Sequence, residues 1–358
     1  MAKSYDFVII GAGIVGLSVA RELNKRHPNS SIVILEKELD IGRHASGRNS
    51  GVMHSGVYYG STTLKAKVCS LGAARMRDFA DEYEISYKKV GKVIIASSAE
   101  DLPTLDTLLT NAKNNGVKAE RLDVQGVKEI EPYASAYEAG IYCPDTAVID
   151  SKAIINKLRE ILEEQGVEFV YGAPIRTARP NQCLVETAQG KFSYEFLYNC
   201  AGAGADLIAK MFGHAGDYTL VPFKGIYYKL RVDRRHLVNG NIYPVPNVEL
   251  PFLGVHLTKV INGEVYLGPT AIPALGRENY GIFEGIKLSE SFTIGRQLIS
   301  MYKANRENFR RLAQEEMKKY YKPFFLSAAQ KLIRTLQSGD LESSNKIGIR
   351  PQLVNLKT

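Results

Sequence analysis

The residues that most clearly carry chemistry form a glycine turn near the start of the chain. Gly11, Gly13 and Gly16 make a Gly-x-Gly-x-x-Gly pattern between a short apolar run and a helix-like segment. Such a turn lets the backbone approach a pyrophosphate, and the N-terminus of the following helix favours negative charge. Glu36 ends the next apolar run, where a carboxylate can accept hydrogen bonds from ribose hydroxyls. The pattern therefore predicts a dinucleotide site, and the acid disfavours a 2′-phosphate.

Two further segments indicate how far the dinucleotide extends. Residues 45–51, Ala-Ser-Gly-Arg-Asn-Ser-Gly, carry small polar side chains that suit a phosphate and a ring edge, although an ordinary polar loop is the alternative. Residues 196–206 predict a second strand that ends in small residues and passes beneath the same cofactor. These segments favour FAD over NAD. The predicted FAD-binding residues are Gly11, Gly13, Ile14, Val15, Gly16, Glu36, Lys37, Ser46, Arg48, Asn49, Ser50, Gly51, Val170, Ala201 and Gly202.

The elements that must position these residues begin with a βαβ unit. Apolar runs at 5–10 and 32–35 flank a helical pattern at 14–24. Later runs with alternating, β-branched or aromatic residues predict a mostly antiparallel sheet; they lie at 90–97, 221–232, 252–258 and 260–268.

The order of these pieces predicts an α/β protein in which a Rossmann-like FAD-binding domain is interleaved with a substrate domain built on the antiparallel sheet. The predicted FAD-binding domain covers residues 1–84, 139–220 and 335–358. The substrate domain covers residues 85–138 and 221–334.

Composition excludes several classes of protein. The chain has 358 residues, of which 45% are hydrophobic and 23% charged, enough for one large or two medium cores. Its four cysteines are far apart without a Cys-x-x-Cys pair, so the sequence predicts no disulfide framework and no metal site. It has neither a run of roughly 20 apolar residues nor a signal peptide pattern. A cytoplasmic protein is the expectation.

The net charge of +8 is concentrated in one helical segment. Residues 296–334, which Pro323 is expected to break, hold ten lysines and arginines against three glutamates. Aromatic residues at 320, 321, 324 and 325 stand beside lysines, so this segment can rest on the inner face of an anionic membrane. The alternative is a solvated helix face whose aromatic residues pack on the sheet. No motif supports binding to nucleic acid.

Several longer segments resemble a known family. The most specific are residues 48–59, Arg-Asn-Ser-Gly-Val-Met-His-Ser-Gly-Val-Tyr-Tyr, and 251–258, Pro-Phe-Leu-Gly-Val-His-Leu-Thr. The chain resembles the FAD-dependent oxidoreductases of the D-amino-acid oxidase and glycerol-3-phosphate dehydrogenase superfamily. More narrowly, it is similar to the L-2-hydroxyglutarate oxidase/dehydrogenase family. Further matching segments lie at 11–16, 221–228, 242–246, 268–270 and 348–352.

The resemblance implies an enzyme that oxidises L-2-hydroxyglutarate, a small 2-hydroxy acid, to 2-oxoglutarate by hydride transfer to FAD. Oxygen or a quinone would then accept the electrons. The alternatives are another small substrate of the superfamily, such as an amino acid or glycerol 3-phosphate, and a non-catalytic remnant. Lys224 and Ile226 stand where the family usually carries Arg and Glu. The family also implies a C-terminal segment beyond residues 348–352 that completes the flavin domain.

Oxidation of a hydroxyl requires a group that removes its proton, and histidine suits this step. Of the six histidines, His54 lies in the predicted ring-edge loop and His256 in the predicted sheet. His256 shares strand parity with Phe252, Gly254 and Thr258, and it is the first candidate for the base; a hydrogen-bonded structural histidine is the alternative. His54 is expected to contact the flavin without a covalent link, a covalent bond being the alternative.

A dicarboxylate substrate would also need cationic and hydroxyl partners. Guanidinium groups are preferred because they meet a carboxylate with two hydrogen bonds. Each candidate by itself is equally compatible with a surface charge or a core aromatic residue. The predicted substrate-binding residues are Lys224, Tyr59, Tyr227, Arg277 and Arg350, with Tyr58 as a further hydroxyl donor.

Overall fold

The computed structural model describes residues 1–246 and 252–357, which form nine α-helices and eighteen β-strands. Pro251, the first residue of one family-like segment, lies outside the described residues. The helices are α1 Ile14–Arg26, α2 Leu64–Glu82, α3 Leu102–Asn114, α4 Val124–Ile130, α5 Ser151–Glu164, α6 Ala205–Met211, α7 Leu288–Ala304, α8 Phe309–Lys318 and α9 Lys322–Gln330. The strands are β1 Lys3–Ile10, β2 Ile32–Leu35, β3 Val52–Met53, β4 Tyr87–Lys89, β5 Lys92–Ile95, β6 Glu120–Asp123, β7 Ala139–Cys143, β8 Ala147–Ile149, β9 Glu168–Val170, β10 Ile175–Arg179, β11 Leu184–Thr187, β12 Gly190–Asn199, β13 Tyr218–Leu230, β14 Asn241–Pro244, β15 His256–Lys259, β16 Val265–Gly268, β17 Ile272–Pro273 and β18 Leu341–Asn355.

A six-stranded sheet holds the predicted βαβ unit. Its strand order is β10-β11-β12-β1-β2-β9, and the four strands from β12 to β9 are parallel. Strands β1 and β2 are apolar because both of their faces are covered: Val8, Ile9 and Ile34 are fully buried. Helices α1 and α5 pack on one face and complete a core with this sheet. The α/β prediction is confirmed.

A nine-stranded sheet forms the second body of the fold. Its order is β17-β13-β16-β15-β14-β5-β7-β6, with β18 paired to β13. Only the β5–β14 pair is parallel, so the mostly antiparallel prediction is confirmed. A small antiparallel sheet, β3-β8-β4, completes the strands of the described residues.

Two strands lie on a different sheet from the one that the sequence assigned. The predicted FAD-binding domain included residues 139–143 and 341–355, but β7 pairs with β5 and β6, and β18 pairs with β13. The sheet to which a strand belongs depends on hydrogen bonds to strands that are far away in the chain. A short apolar run does not indicate which strand it will pair with.

The segment from residue 288 to residue 330 folds differently from the prediction. Pro323 does not break a helix; it lies in the first turn of α9, where its missing N–H costs nothing. The interruption between α7 and α8 comes instead at Asn305, Glu307 and Asn308, which have positive φ. Phe325 is fully buried, while Tyr321 is 69% and Phe324 53% exposed.

The strand predicted for residues 252–258 begins only at His256. Phe252 and Gly254 therefore precede the strand, and the predicted common face is wrong for these two residues. His256 and Thr258 keep the shared parity on β15. No helix of the described residues is both long and apolar enough to cross a bilayer.

Candidate active site

The glycine turn and the later crossing lie side by side. Gly11 has φ +105°, and a Cβ added there would come within 2.5 Å of the Cys200 carbonyl oxygen. The Cys200 amide donates to the Ile10 carbonyl across the β1–β12 pair at 2.9 Å. Glycine is required at this turn because the chain between Cys200 and Gly202 passes directly against it. Ala201 and Gly202 thus flank the turn.

Glu36 is fixed against the same turn. Its side chain is buried, and one carboxylate oxygen accepts the Ala12 amide at 2.7 Å while the other accepts the Glu38 amide at 3.0 Å. Each oxygen can accept a further hydrogen bond, so the carboxylate remains able to bind ribose hydroxyls. Val170 lies behind it, since its carbonyl accepts the Glu36 amide at 2.9 Å.

The polar loop predicted to reach the phosphates covers the N-terminus of α1. The Ile14 amide donates to Ser46 Oγ at 2.9 Å. The Asn49 side chain holds the loop by donating to the Ser46 carbonyl at 2.7 Å and accepting the Gly51 amide at 2.8 Å. Ser50 follows in the same loop. The structure therefore brings the predicted loop to the predicted turn.

These residues fit an FAD pyrophosphate. Helix α1 has no acidic residue in its first turn, so the positive end of its dipole still favours an anion, although its first amide, that of Ile14, is bonded to Ser46 Oγ. Val15 is 60% exposed beside it. A Cβ added at Gly13 would lie 3.1 Å from Ser46 Oγ, so glycine at this position lets the polar loop pack closely against the turn.

Two predicted cofactor residues are engaged with other side chains. The Arg48 guanidinium lies 3.9 Å from the centre of the Tyr280 ring. Lys37 forms an ion pair with Glu38 at 2.5 Å and another with Glu278. Both residues stand near the loop, and their contact with a cofactor stays a prediction.

His44, Glu38 and Glu278 bring three ligand atoms within 4.8 Å of one another. Lys37 forms an ion pair with each carboxylate, and the two His44 ring nitrogens contact the Tyr280 hydroxyl and Glu38. The trio is thus accounted for by its own ion pairs, and the prediction of no metal site stays a prediction.

The two candidate catalytic histidines meet in a buried cluster on the nine-stranded sheet. The His256 ring stacks on the Tyr243 ring with centroids 4.0 Å apart, and the His54 ring meets the edge of the same tyrosine at 6.3 Å. Lys92 lies beside them, with its Nζ 4.4 Å from the centre of the Tyr58 ring and 5.5 Å from that of Tyr243. We call these five residues the buried polar cluster.

Burial keeps both histidines neutral. Burial, together with the weaker effect of the Lys92 charge, lowers the pKa of His54 to about 3 and that of His256 to about 4. His256 Nδ1 lies 2.9 Å from the Gly254 carbonyl, which can only accept, so this nitrogen carries the proton. His256 Nε2 therefore presents a lone pair, as a base requires.

The sequence reasoning missed Lys92 and Tyr243. Lys92 is fully buried, and its Nζ has no hydrogen-bond acceptor among the residues that the structure describes. A signal was present, because a lysine opens an otherwise apolar strand at residues 92–95. Tyr243 offered no signal, since a tyrosine in a strand is usually a core residue.

The predicted substrate residues do not all converge. Tyr227 is largely buried, and burial raises its pKa above the ordinary value. The nearby Tyr243 adds to this rise. Tyr59 is half-buried with its pKa raised by burial, while the Arg350 charge opposes this rise. Arg350 thus lies near Tyr59, and its guanidinium carbon is 4.7 Å from the centre of the Phe252 ring.

Lys224 and Arg277 are occupied elsewhere. Lys224 Nζ donates to the Gly281 carbonyl at 2.6 Å, and burial lowers its pKa. The Arg277 guanidinium is paired with buried Asp206 and contacts Glu290 at 3.3 Å. It also donates to the Ala203 carbonyl at 2.5 Å. Arg277 therefore ties α6 and the later crossing to the chain around residue 277, and its role as a substrate clamp stays untested.

A glycine turn of the dinucleotide-binding type thus lies on one sheet, and the buried polar cluster lies on the other. Comparison with known proteins agrees. The family model described as "FAD dependent oxidoreductase" matches residues 6–355. The structure of L-alpha-glycerophosphate oxidase from Mycoplasma pneumoniae with FAD bound has a TM-score of 0.77 at 19% identity, covering 98% of this chain and 83% of that one.

Two curated relatives share the narrower name that the sequence suggested. L-2-hydroxyglutarate dehydrogenase of Indibacter alkaliphilus is 35% identical over 97% of this chain and 87% of its own length. The mitochondrial enzyme of that name from Homo sapiens is 39% identical over 79% of this chain, which spans 64% of the human protein. The chain belongs to the FAD dependent oxidoreductase family, and its cofactor is FAD. Within that family, the similarity to L-2-hydroxyglutarate dehydrogenases is confirmed.

Proposed function

We propose that this protein oxidises L-2-hydroxyglutarate to 2-oxoglutarate. The observation that carries the proposal is the buried polar cluster, in which a neutral histidine with a free ring nitrogen stands beside an unpaired cation. A 2-hydroxy acid needs these two groups, one for the proton of its hydroxyl and one for a carboxylate. The similarity to the Indibacter relative supports this substrate among 2-hydroxy acids.

The residues divide the reaction between them. His256 Nε2 accepts the hydroxyl proton, and the C2–H bond breaks as the new carbonyl forms. Bound FAD supplies the acceptor for the hydride that leaves C2. Tyr59, Tyr227 and Arg350 would hold the far end of the substrate. His54 would contact bound flavin without a covalent bond.

The proposal assigns FAD to the turn at residues 11–16, to Glu36, to the loop at residues 45–51 and to the crossing at Ala201–Gly202. Gly13 and Ile14 present the helix N-terminus to the pyrophosphate, and Glu36 binds the ribose. The FAD-binding domain is the region of the six-stranded sheet and the substrate domain that of the nine-stranded sheet, with β7 and β18 counted in the latter.

The decisive measurement is the visible spectrum of the FAD-loaded protein before and after anaerobic addition of substrate. We expect the flavin absorbance to fade with L-2-hydroxyglutarate and to persist with glycerol 3-phosphate and with glycine. Fading with glycerol 3-phosphate or with glycine would show that the proposed substrate is wrong, while the family assignment would stand. A protein that stays colourless after incubation with FAD would contradict the proposal that it is an FAD-dependent enzyme.

A variant tests the base in the same experiment. We expect His256→Asn to slow anaerobic flavin reduction on the order of 10²- to 10³-fold, because a positioned base contributes about this much. Asparagine retains a donor for the Gly254 carbonyl but presents no basic nitrogen. His236→Asn, which alters an exposed histidine, is the matched control. An unchanged reduction rate in His256→Asn would assign the proton step to another group.

The electron acceptor and the location belong to the proposal as well. Tyr321 and Phe324 are exposed beside Lys318, which suits contact of residues 296–334 with an anionic membrane, with a quinone as acceptor. Reoxidation of the reduced protein by oxygen and by a soluble quinone, with and without anionic vesicles, separates the two acceptors. Vesicle-dependent reoxidation by the quinone would support contact with a membrane, as expected for a cytoplasmic protein at the inner face.

A further inference from the structure

Lys92 holds a buried charge that nothing in the described structure balances. It opens β5, a strand whose four residues are all buried, and its own exposed fraction is 0%. Among the described residues, the only groups that offer partial negative charge to its Nζ are the ring faces of Tyr58 and Tyr243. Ring faces attract a cation much more weakly than a hydrogen-bonded anion does.

The groups that face Lys92 from the surrounding elements supply no anion at neutral pH. They are Cys143 on β7, Cys69 on α2, and the histidines and tyrosines of the buried polar cluster. Burial raises the pKa of both cysteines and of both tyrosines, so these stay protonated and neutral. Both histidines are neutral as well. The site therefore carries positive charge and lacks its counterion.

Neighbouring polar atoms are also without partners. His54 Nδ1 and the Tyr58 hydroxyl are buried and make no hydrogen bond to the described residues. Buried polar groups are normally satisfied, and several unsatisfied groups beside one buried charge are consistent with a site for a polar ligand. An ammonium and two uncharged polar groups in one place match an anionic group with several acceptor atoms.

We propose that the Lys92 ammonium binds a carboxylate of the substrate and so holds the 2-hydroxy carbon near His256. The identity of the substrate rests on the proposed function, whereas the pairing itself requires only a carboxylate. Folding has already removed water from the Lys92 ammonium without giving it a counterion. A carboxylate that binds there gains an ion pair without the free-energy cost of desolvating the lysine.

Binding of an unreactive dicarboxylate tests this pairing without turnover. Glutarate is titrated into the FAD-loaded protein and followed by calorimetry and by its effect on the flavin spectrum. We expect Lys92→Met to weaken binding on the order of 100-fold, the usual effect of removing one partner of a buried charge pair. Lys89→Met, which removes an exposed lysine three residues earlier, should leave it within about twofold.

Thermal unfolding distinguishes a binding role from a structural one. Without ligand, we expect Lys92→Met to unfold at the same temperature as the wild type or at a higher one, since it removes an unpaired buried charge. A structural lysine would give a lower temperature. Lys92→Arg should retain part of the glutarate affinity that Lys92→Met loses. If Lys92→Met does not fold, Lys92→Gln takes its place in the same measurements.

The pH dependence of binding gives a third readout. Burial lowers the pKa of Lys92 to about 8, so the free protein loses this charge as the pH rises through that value. Glutarate binding by the wild type should weaken progressively above pH 8, and binding by Lys92→Met should not follow this decline. Lys92→Arg should keep its affinity to higher pH, because a guanidinium stays charged.

The outcomes separate this inference from the proposed function. Equal glutarate affinity in the wild type and Lys92→Met overturns the pairing, as does a wild type that binds no glutarate. Should glutarate binding depend on Lys92 while L-2-hydroxyglutarate leaves the flavin oxidised, the substrate of the proposed function is wrong and the carboxylate site stands.

Discussion

His54 and His256 show how burial sets protonation at the scale of single residues. Neither ring has an anionic partner in the buried polar cluster, and the Lys92 charge acts on both. Protonation of either ring would place a second cation in a site that already holds one. The neutral state that a base requires is thus a consequence of where the two rings lie.

The same burial predicts a dependence of stability on pH. The pKa of His256 is about 4 and that of His54 about 3 in the folded state, against about 6.5 in the unfolded chain. The unfolded chain therefore binds more protons between pH 6.5 and 4, and stability falls as the pH falls through this window. Each histidine contributes a slope of about 1.4 kcal/mol per pH unit.

Urea unfolding of the wild type and of His256→Asn at pH 7.5, 5.5 and 4.5 checks this prediction. The difference in the free energy of unfolding between the two proteins should shift in favour of the variant as the pH falls. Carboxylates elsewhere titrate in both proteins and cancel in the comparison. A difference that stays constant from pH 7.5 to 4.5 would show that His256 titrates normally in the folded protein.

At the scale of elements, the connection from β1 to α1 combines a backbone requirement with a cofactor site. Position 11 requires glycine because its φ is positive and because the Cys200 carbonyl occupies the space that a side chain would need. The two parallel strands β1 and β12 therefore reach their carboxyl ends at one point, with Glu36 at the end of the neighbouring β2. Ligands of open α/β sheets bind at such an edge.

We expect Gly11→Ala to destabilise the protein by about 2 kcal/mol or more and to abolish FAD retention, because the Cβ meets backbone that cannot move aside. Gly72→Ala is the matched control, since Gly72 lies in α2 with open space around its Cα. That change should stabilise the protein by up to about 1 kcal/mol. Urea midpoints and the flavin-to-protein absorbance ratio measure both effects; FAD retained by Gly11→Ala would show that the turn tolerates a side chain.

At the scale of the whole molecule, the proposed FAD contacts come from four separate stretches of chain between Gly11 and Gly202. They meet only because β12 returns to pair with β1 after a long stretch of chain that contributes strands to all three sheets. A ligand that binds such a surface binds the folded state alone. FAD should therefore stabilise the entire fold and not only its N-terminal unit.

We expect the unfolding temperature to rise with FAD concentration, with a stabilisation of about 2.7 kcal/mol when free FAD is 100 times its dissociation constant. Calorimetric unfolding at increasing FAD measures this shift, and Gly11→Ala should show none. A shift confined to a separate early transition would mean that the two sheets unfold independently of each other.

Local patterns in the chain were sufficient for a large part of this protein. The glycine turn, Glu36 and the βαβ unit are encoded within residues 3–36, because turn geometry and the alternation of buried runs are local properties. Family-like segments in turn pointed to FAD and to a 2-hydroxy acid, and both histidines were singled out from their segments.

Only the tertiary structure decided what the local patterns leave open. Strands β7 and β18 found their partners in the nine-stranded sheet, Pro323 became the start of a helix, and Arg277 was paired with Asp206. The buried polar cluster likewise joins Lys92 to residues more than 30 positions away on either side. Burial and pairing depend on contacts between distant parts of the chain, so the role of Lys92 became visible only once its surroundings were known.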